Sequence, residues 1–176
     1  MKTFEFSIIA SGLDPAAKDF EARFYNVGCD DATISFQKGH IIVDFAREAE
    51  TLESAVASAV KAVKKAGAKV DRVEPDPLVS LADMAKRTGM TRAAMTNYFK
   101  GWRAKGFPPP VAKVTSESPL WAWSAVARWL FQRSMVSRED VLAAEIFKEA
   151  NEAVEQDEPN LEKRLKGHVR EYAKGL

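Results

Sequence analysis

Over the first 74 residues the chain switches between a period of two and a helical period. "TFEFSII", Thr3 to Ile9, alternates apolar and polar side chains and is rich in β-formers, which predicts a strand. Asp14-Pro15 then supplies a cap and a proline suited to a first helical position. A helix is therefore expected through "DPAAKDFEARFYNVG", stopping near Gly28. "ATISFQ" and "HIIVDF" flank Lys38-Gly39, a two-residue hairpin signal. In "TLESAVASAVKAVKKAG" the helical period takes over: Leu52, Val56, Val60 and Val63 share one face, Thr51 opens it, and Lys61, Lys64 and Lys65 gather before Gly67. "AKVDRVE" reads as a last strand.

This order, βαββαβ, matches the split βαβ pattern of ferredoxin-like folds, with both helices on one face of an antiparallel sheet. The acidic, proline-bearing "EPDP" that follows marks a linker. Next, "SLADMAKRTGMTRAAMTNYF" packs two short helical patterns around one glycine. Ser80 and Asp83 form a capping box variant, with Leu81, Met84 and Ala85 facing inward. Gly89 is placed where a tight corner needs positive φ. Met90 plugs that corner, and Thr91 caps a second helix with Ala94, Met95 and Tyr98 inward. The spacing is that of a helix-turn-helix, with only Thr88 polar at a usually apolar position. "FPPPVAKV" and "LWAW" around "TSESP" read as the two strands and tip of a wing. Ser124 is expected to cap "AVARWLF", whose inward face is Val126, Trp129 and Leu130. Trp121, Trp123 and Trp129 fit packing of the wing and helix better than a platform for stacked bases.

Ser137 and Asp140 repeat the capping box ahead of "REDVLAAEIFKEANEAVEQDE", which clusters Val141, Leu142, Ile146, Ala150 and Val154 and is acidic on its other side. Pro159-Asn160 breaks the pattern, and "LEKRLKGHVREYAKGL" resumes it with Leu161, Leu165, Val169 and Tyr172. Such a stripe must be covered by its own domain or by a second subunit, and a homodimer is the expectation adopted. The chain is thus read as α+β: a ferredoxin-like domain at 1–74, a linker at 75–79, a winged helix-turn-helix domain at 80–135, and C-terminal amphipathic dimerisation or packing helices at 136–176.

Charge changes the picture more than composition does. The formal net charge is only +1, yet residues 80–133 hold nine Lys and Arg against two Asp and Glu, while the segments on either side are each net −3. A confined basic segment is the footprint of a polyanion-binding surface, and its bland counterpart is a solvated basic face. No stretch approaches the roughly 18 apolar residues of a membrane span, and the start lacks a signal peptide's apolar block, so a cytoplasmic protein with no membrane partner is expected. Cys29 alone excludes an internal disulfide, and with His40 and His168 it forms no structural-zinc spacing. No Gly-rich phosphate loop, metal box or nucleophile–base set is present, which argues against an enzyme, a catalytic residue, a metal or a cofactor. In Gly28-Cys29-Asp30-Asp31 the carboxylate pair could hold a divalent ion, but it fits a turn before a strand better. Cys29 reads as a buried small side chain and His40 as structural.

"SLADMAKRTGMTRAAMTNYF", "GFPPPVAKV" and "SPLWAWSAVARWL" together resemble the excisionase-like, or MerR-like, winged helix-turn-helix domains of bacterial DNA-binding proteins, over about a third of the chain. The whole chain, including "CDDATISFQKGHIIVDFAREA" and "VEPDPLVSLADMAKRTG", is similar to a widespread bacterial group of helix-turn-helix proteins whose roles are largely undefined. The resemblance implies double-stranded DNA binding, as a dimeric transcriptional regulator. With the second helix in the major groove, Arg92, Ala93, Thr96, Asn97 and Lys100 would face base edges: Arg92 for guanine, Asn97 for adenine, Ala93 or the Thr96 methyl for thymine. Lys86, Arg87, Thr91, Arg103, Lys105 and Lys113 would lie along phosphates and set affinity. The rival expectation is an antitoxin-like or adaptor protein, whose N-terminal domain binds a protein partner while the helix-turn-helix only autoregulates.

Overall fold

β1 (Lys2–Ser11), β2 (Ala32–Gln37), β3 (His40–Ala49) and β4 (Lys69–Glu74) form one antiparallel sheet, in the order β2-β3-β1-β4, in the computed structural model, which describes residues Met1–Leu176. The period-two pattern decides its buried face: Phe6, Ile8 and Ala10 of β1 stand opposite Phe45, Val43 and Ile41 of β3, and all six are buried. Lys38 and Gly39 join β2 to β3 with φ of 50° and 80°, the left-handed pair whose twist matches a two-residue hairpin. α2 (Leu52–Lys65) begins at Thr51, whose hydroxyl accepts from the Ser54 amide at 3.2 Å, and it buries Val56, Val60 and Val63.

The first helix is shorter than the sequence predicts. Asp14 does cap a turn, its Oδ1 accepting from the Ala16 amide at 2.9 Å, but α1 covers only Phe20–Tyr25. Residues 15–19 are exposed and offer no large apolar side chain to dock, whereas Phe20 and Phe24 are buried and meet edge to edge. Packing, not the cap, sets where this helix starts.

The chain divides into two compact units, Met1–Pro75 with Ile146–Leu176, and Asp76–Glu145. The second contains β5 (Leu78–Val79), α3 (Leu81–Thr88), α4 (Arg92–Phe99), β6 (Trp121–Ala122) and α5 (Trp123–Phe131). Leu78 and Val79, expected in a linker, are therefore a strand, pairing antiparallel with Ala122 and Trp121. The two strands expected for a wing are correspondingly reduced to an isolated bridge. "LWAW" pairs its backbone with the proline-rich segment at Leu120 alone, around the bridge Ala112↔Leu120, and gives its next two residues to β5. α5 starts at Trp123, and Ser124 is buried inside it instead of capping it, because the Trp123 amide already donates to the Pro77 carbonyl at 2.8 Å. The core gathers Val79, Met84, Met95, Tyr98, Trp121, Val126, Trp129 and Leu130.

α6 (Arg138–Glu155) opens with the expected capping box, Ser137 Oγ accepting from the Asp140 amide at 3.1 Å and Asp140 accepting from the Ser137 amide at 2.9 Å. The C-terminal segment does not form a body of its own: residues 138–145 belong to the second unit and residues 146–155, with α7 (Leu161–Lys174), to the first. There α7 packs on α2 and buries Leu161 and Leu165, while Val169 and Tyr172 are half-buried, so the chain itself covers the first half of the stripe assigned to a subunit interface. Ser54 Oγ donates to Glu162 at 2.9 Å across that contact. Lys166, then Ser54, hold the Glu162 carboxyl below its usual range by hydrogen bonding. The acidic side of α6 is also partly internal. Glu149 is buried and accepts from Arg164 Nε at 2.7 Å, and Asn151 bonds the Val73 amide and carbonyl, each at 2.9 Å, closing that edge of β4. The protein is a mixed α+β structure with an antiparallel sheet, and no helix is long and apolar enough to cross a membrane.

Candidate nucleic-acid interface

The corner between α3 and α4 is built from local bonds. Ser80 Oγ accepts from the Asp83 amide at 3.1 Å, and Asp83 returns the favour to the Ser80 amide at 2.9 Å. α3 ends at Gly89, φ 71°, a left-handed conformation in which a Cβ would be strained although nothing lies within 4 Å of where it would sit. Thr88 explains its own polarity: its hydroxyl donates to the Met84 carbonyl at 2.8 Å and accepts from the Met90 amide at 3.2 Å, fastening the turn. Thr91 Oγ1 accepts from the Ala94 amide at 3.1 Å to start α4. With Met84, Met95 and Tyr98 buried and Ala85, Ala94 and Met90 partly so, the orientation of α4 is fixed.

That orientation turns Arg92, Ala93 and Lys100 fully outward and leaves Thr96 and Asn97 partly exposed along the same side. Thr96 uses its hydroxyl proton inside the helix, donating to the Arg92 carbonyl at 3.0 Å, which leaves a methyl and lone pairs for a partner. The residues assigned to phosphates divide. Lys86, Arg103, Lys105 and Lys113 are exposed, as is Thr91. Arg87 is not: its Nη2 donates to the Asp76 carbonyl at 2.9 Å and its guanidinium lies 5.4 Å from the Trp123 ring centre, so it braces α3 against the start of the unit. Residues 80–133 hold only two carboxylates, Asp83, which is held in the α3 cap, and the exposed Glu117, 25 residues past Arg92.

Trp121 and Trp129 are interior. Trp121 Nε1 donates to the Pro108 carbonyl at 2.9 Å and Trp129 Nε1 to the Lys105 carbonyl at 3.3 Å, which ties the proline-rich segment to the core. Tyr98, Phe107 and Phe99 meet these rings edge to edge, at 5.3, 5.1 and 5.0 Å. Arg133, over Trp129 at 3.7 Å and donating to the Lys105 carbonyl at 2.8 Å, is structural as well. One aromatic residue that the sequence reading passed over behaves differently: Trp102 is 70% exposed, just past the end of α4.

In the first unit, the Gly28–Asp31 corner is built round a half-buried ion pair. Arg47 donates from Nε and Nη2 to the two Asp31 oxygens at 2.8 and 2.9 Å, from Nη2 to the Gly28 carbonyl, and from Nη1 to Ser58 Oγ at 3.1 Å. Cys29 beneath it is fully buried, and burial pushes its thiol up to about 11, away from nucleophilic use near neutrality. No group of three or more His, Cys, Asp or Glu is gathered to hold a metal. No protein-family model, curated protein or solved structure matches the chain.

Proposed function

We propose that this protein binds double-stranded DNA sequence-specifically through α4, as a cytoplasmic transcriptional regulator acting in pairs on a two-fold operator. The observation that carries the reading is the outward row Arg92, Ala93, Thr96, Asn97 and Lys100, displayed on a helix whose other side is locked in the core, within a stretch that has no Asp or Glu between Asp83 and Glu117. α3 with α4 then acts as the helix-turn-helix, and the bridge Ala112↔Leu120 with its exposed tip as a short wing. The sheet order β2-β3-β1-β4 supports a ferredoxin-like reading of the first unit. A lone module of this size reads few base pairs, which is the argument for a pair. Since Leu161 and Leu165 of α7 are used within the chain, a pairing surface there would have to rest on the half-buried Val169 and Tyr172.

The test is selection of bound duplexes from a random library with the full chain, followed by mobility shift on the enriched sequence. Retention that Arg92→Ala or Asn97→Ala lowers at least tenfold, at roughly 1–3 kcal/mol per bidentate contact, supports the reading. With about five phosphates neutralised, log K should fall with log salt at a slope near −4 to −5 per module. An unenriched library, or salt-independent binding, would refute it. A second reading, an adaptor that docks a protein on the first unit, has one observation in its favour: β2 is an open edge strand on which Phe36 is 47% exposed.

A further inference from the structure

α4 ends in a Schellman lock. Gly101 takes φ 73°, its amide donates to the Tyr98 carbonyl at 3.0 Å, and the Trp102 amide donates to the Asn97 carbonyl, also at 3.0 Å. In this motif the residue after the glycine usually closes an apolar contact with the residue whose carbonyl it bonds. Here that residue is Asn97, which offers no apolar surface, and the indole stays outside the core. Its one neighbour of note is a cation: Lys100 Nζ lies 4.6 Å from the ring centre. The lock therefore fixes the Trp102 backbone against the Asn97 carbonyl, while Lys100, the last residue of the outward row, covers the ring. Lys100, Arg103 and Lys105 surround Trp102 in sequence with no acidic residue between them.

An exposed indole costs solubility and has no partner in the core, and its surroundings are wrong for an acid-free apolar interface with another protein surface of ordinary charge. A flat apolar ring among unneutralised cations suits a polyanion that also presents apolar faces, which is what deoxyribose and base edges are. Resting on the DNA-binding reading, we infer that Trp102 is a further DNA contact: it packs its indole on the deoxyribose–base surface at the end of α4, while Lys100 and Arg103 take the flanking phosphates. The contact is uncharged, so it should set affinity without releasing counterions.

The experiment combines iodide quenching of tryptophan emission with binding titrations of the full chain on a random-sequence duplex of about 20 base pairs, two turns of helix. Because Trp121 and Trp129 are buried and Trp123 partly so, iodide should quench mainly Trp102. Saturating duplex should abolish that quenching. Trp102→Ala should melt like the wild type and bind about tenfold more weakly with an unchanged salt slope, while Trp102→Phe stays within about threefold. Lys100→Ala, by contrast, should reduce the slope by about one. Duplex binding that leaves Trp102 open to iodide, or a Trp102→Ala variant of wild-type affinity, would overturn the inference and spare the DNA-binding reading. So would a Trp102→Ala variant with a reduced slope, which would make the ring merely a seat for Lys100. Protection from iodide that rises with protein concentration in the absence of DNA would assign the ring to a second copy and also overturn it. A wild-type chain that binds no duplex removes the premise itself.

Discussion

Arg47 in the first unit and Arg92 in the second carry the same guanidinium in opposite circumstances. Arg47 is 9% exposed, donates to Asp31, Gly28 and Ser58, and lies 4.7 Å from the centre of the Phe45 ring. Arg92 is exposed at the first turn of α4, and the nearest acid in sequence, Asp83, is held in the α3 cap. The same contrast separates α7 from α4. On α7, Arg164 pairs with Glu149, Lys166 with Glu162 and Lys174 with Glu171, at 2.7, 2.6 and 2.7 Å. The lesson is that partnering, more than the number of cations, distinguishes a basic side chain that holds a fold from one held out to a ligand. Arg87 and Arg133 show that the distinction cuts through the basic segment itself, since both are spent on carbonyls and tryptophan rings.

The sharpest way to break this comparison is to delete both guanidinium groups in turn. Arg47→Ala removes the partner of the half-buried Asp31 carboxylate and should cost about 2 kcal/mol, in line with loss of a hydrogen bond to a charged group, read as a lower urea midpoint by circular dichroism. Arg47→Lys should not restore it, because an ammonium cannot serve Asp31 in bidentate fashion and reach Gly28 and Ser58 as well. Arg92→Ala should move the same midpoint by less than about 0.5 kcal/mol while weakening DNA binding. Equal stability losses for the two variants would end the argument from partnering.

A smaller effect tests the geometry that holds Arg92 outward. Gly89→Ala introduces a Cβ at φ 71° in open space, so the expected cost is backbone strain alone, about 1–2 kcal/mol, on the thermal melt of the full chain. Ser80→Ala removes the α3 cap and should cost about 1 kcal/mol. If neither substitution changes the melt, the corner is not what positions α4.

These sites also mark what could and could not be read without coordinates. Both capping boxes, the Gly89 corner, the Lys38-Gly39 hairpin and the inward faces of α2, α3, α4 and α5 are local patterns spanning a few residues, and the sequence displays them directly. What it conceals depends on distant partners. The start of α1 waits on where Phe20 docks, β5 and the entry to α5 depend on Pro77 meeting Trp123, and the Gly28–Asp31 corner is settled by Arg47, 16 residues past Asp31. The α7 stripe has the same pattern whether a neighbouring helix or a second subunit covers it. Trp102 and Trp121 are likewise the same letter, and only packing tells them apart. The available signal was context: Trp102 falls in "KGWRAK", outside any apolar period.

The smallest expected effect concerns the first unit alone and uses Cys29 as an internal gauge of its packing. Burial raises the thiol from an ordinary 9.0 to about 11, so the folded chain holds this proton more tightly than the unfolded one. A group whose folded value is raised contributes its full stability below the unfolded value and loses it as pH climbs through the folded one. Cys29 should therefore leave stability unaffected below about pH 9 and erode it between about 9 and 11. Comparing urea midpoints of the wild type and Cys29→Ala across that window isolates the contribution, because both share every other titrating group. In parallel, alkylation by iodoacetamide at pH 8 should be slow until the unit opens and fast once it is unfolded. Rapid alkylation of the folded chain, or parallel pH profiles for the two proteins, would show that the corner beneath Arg47 is looser than its hydrogen bonds imply.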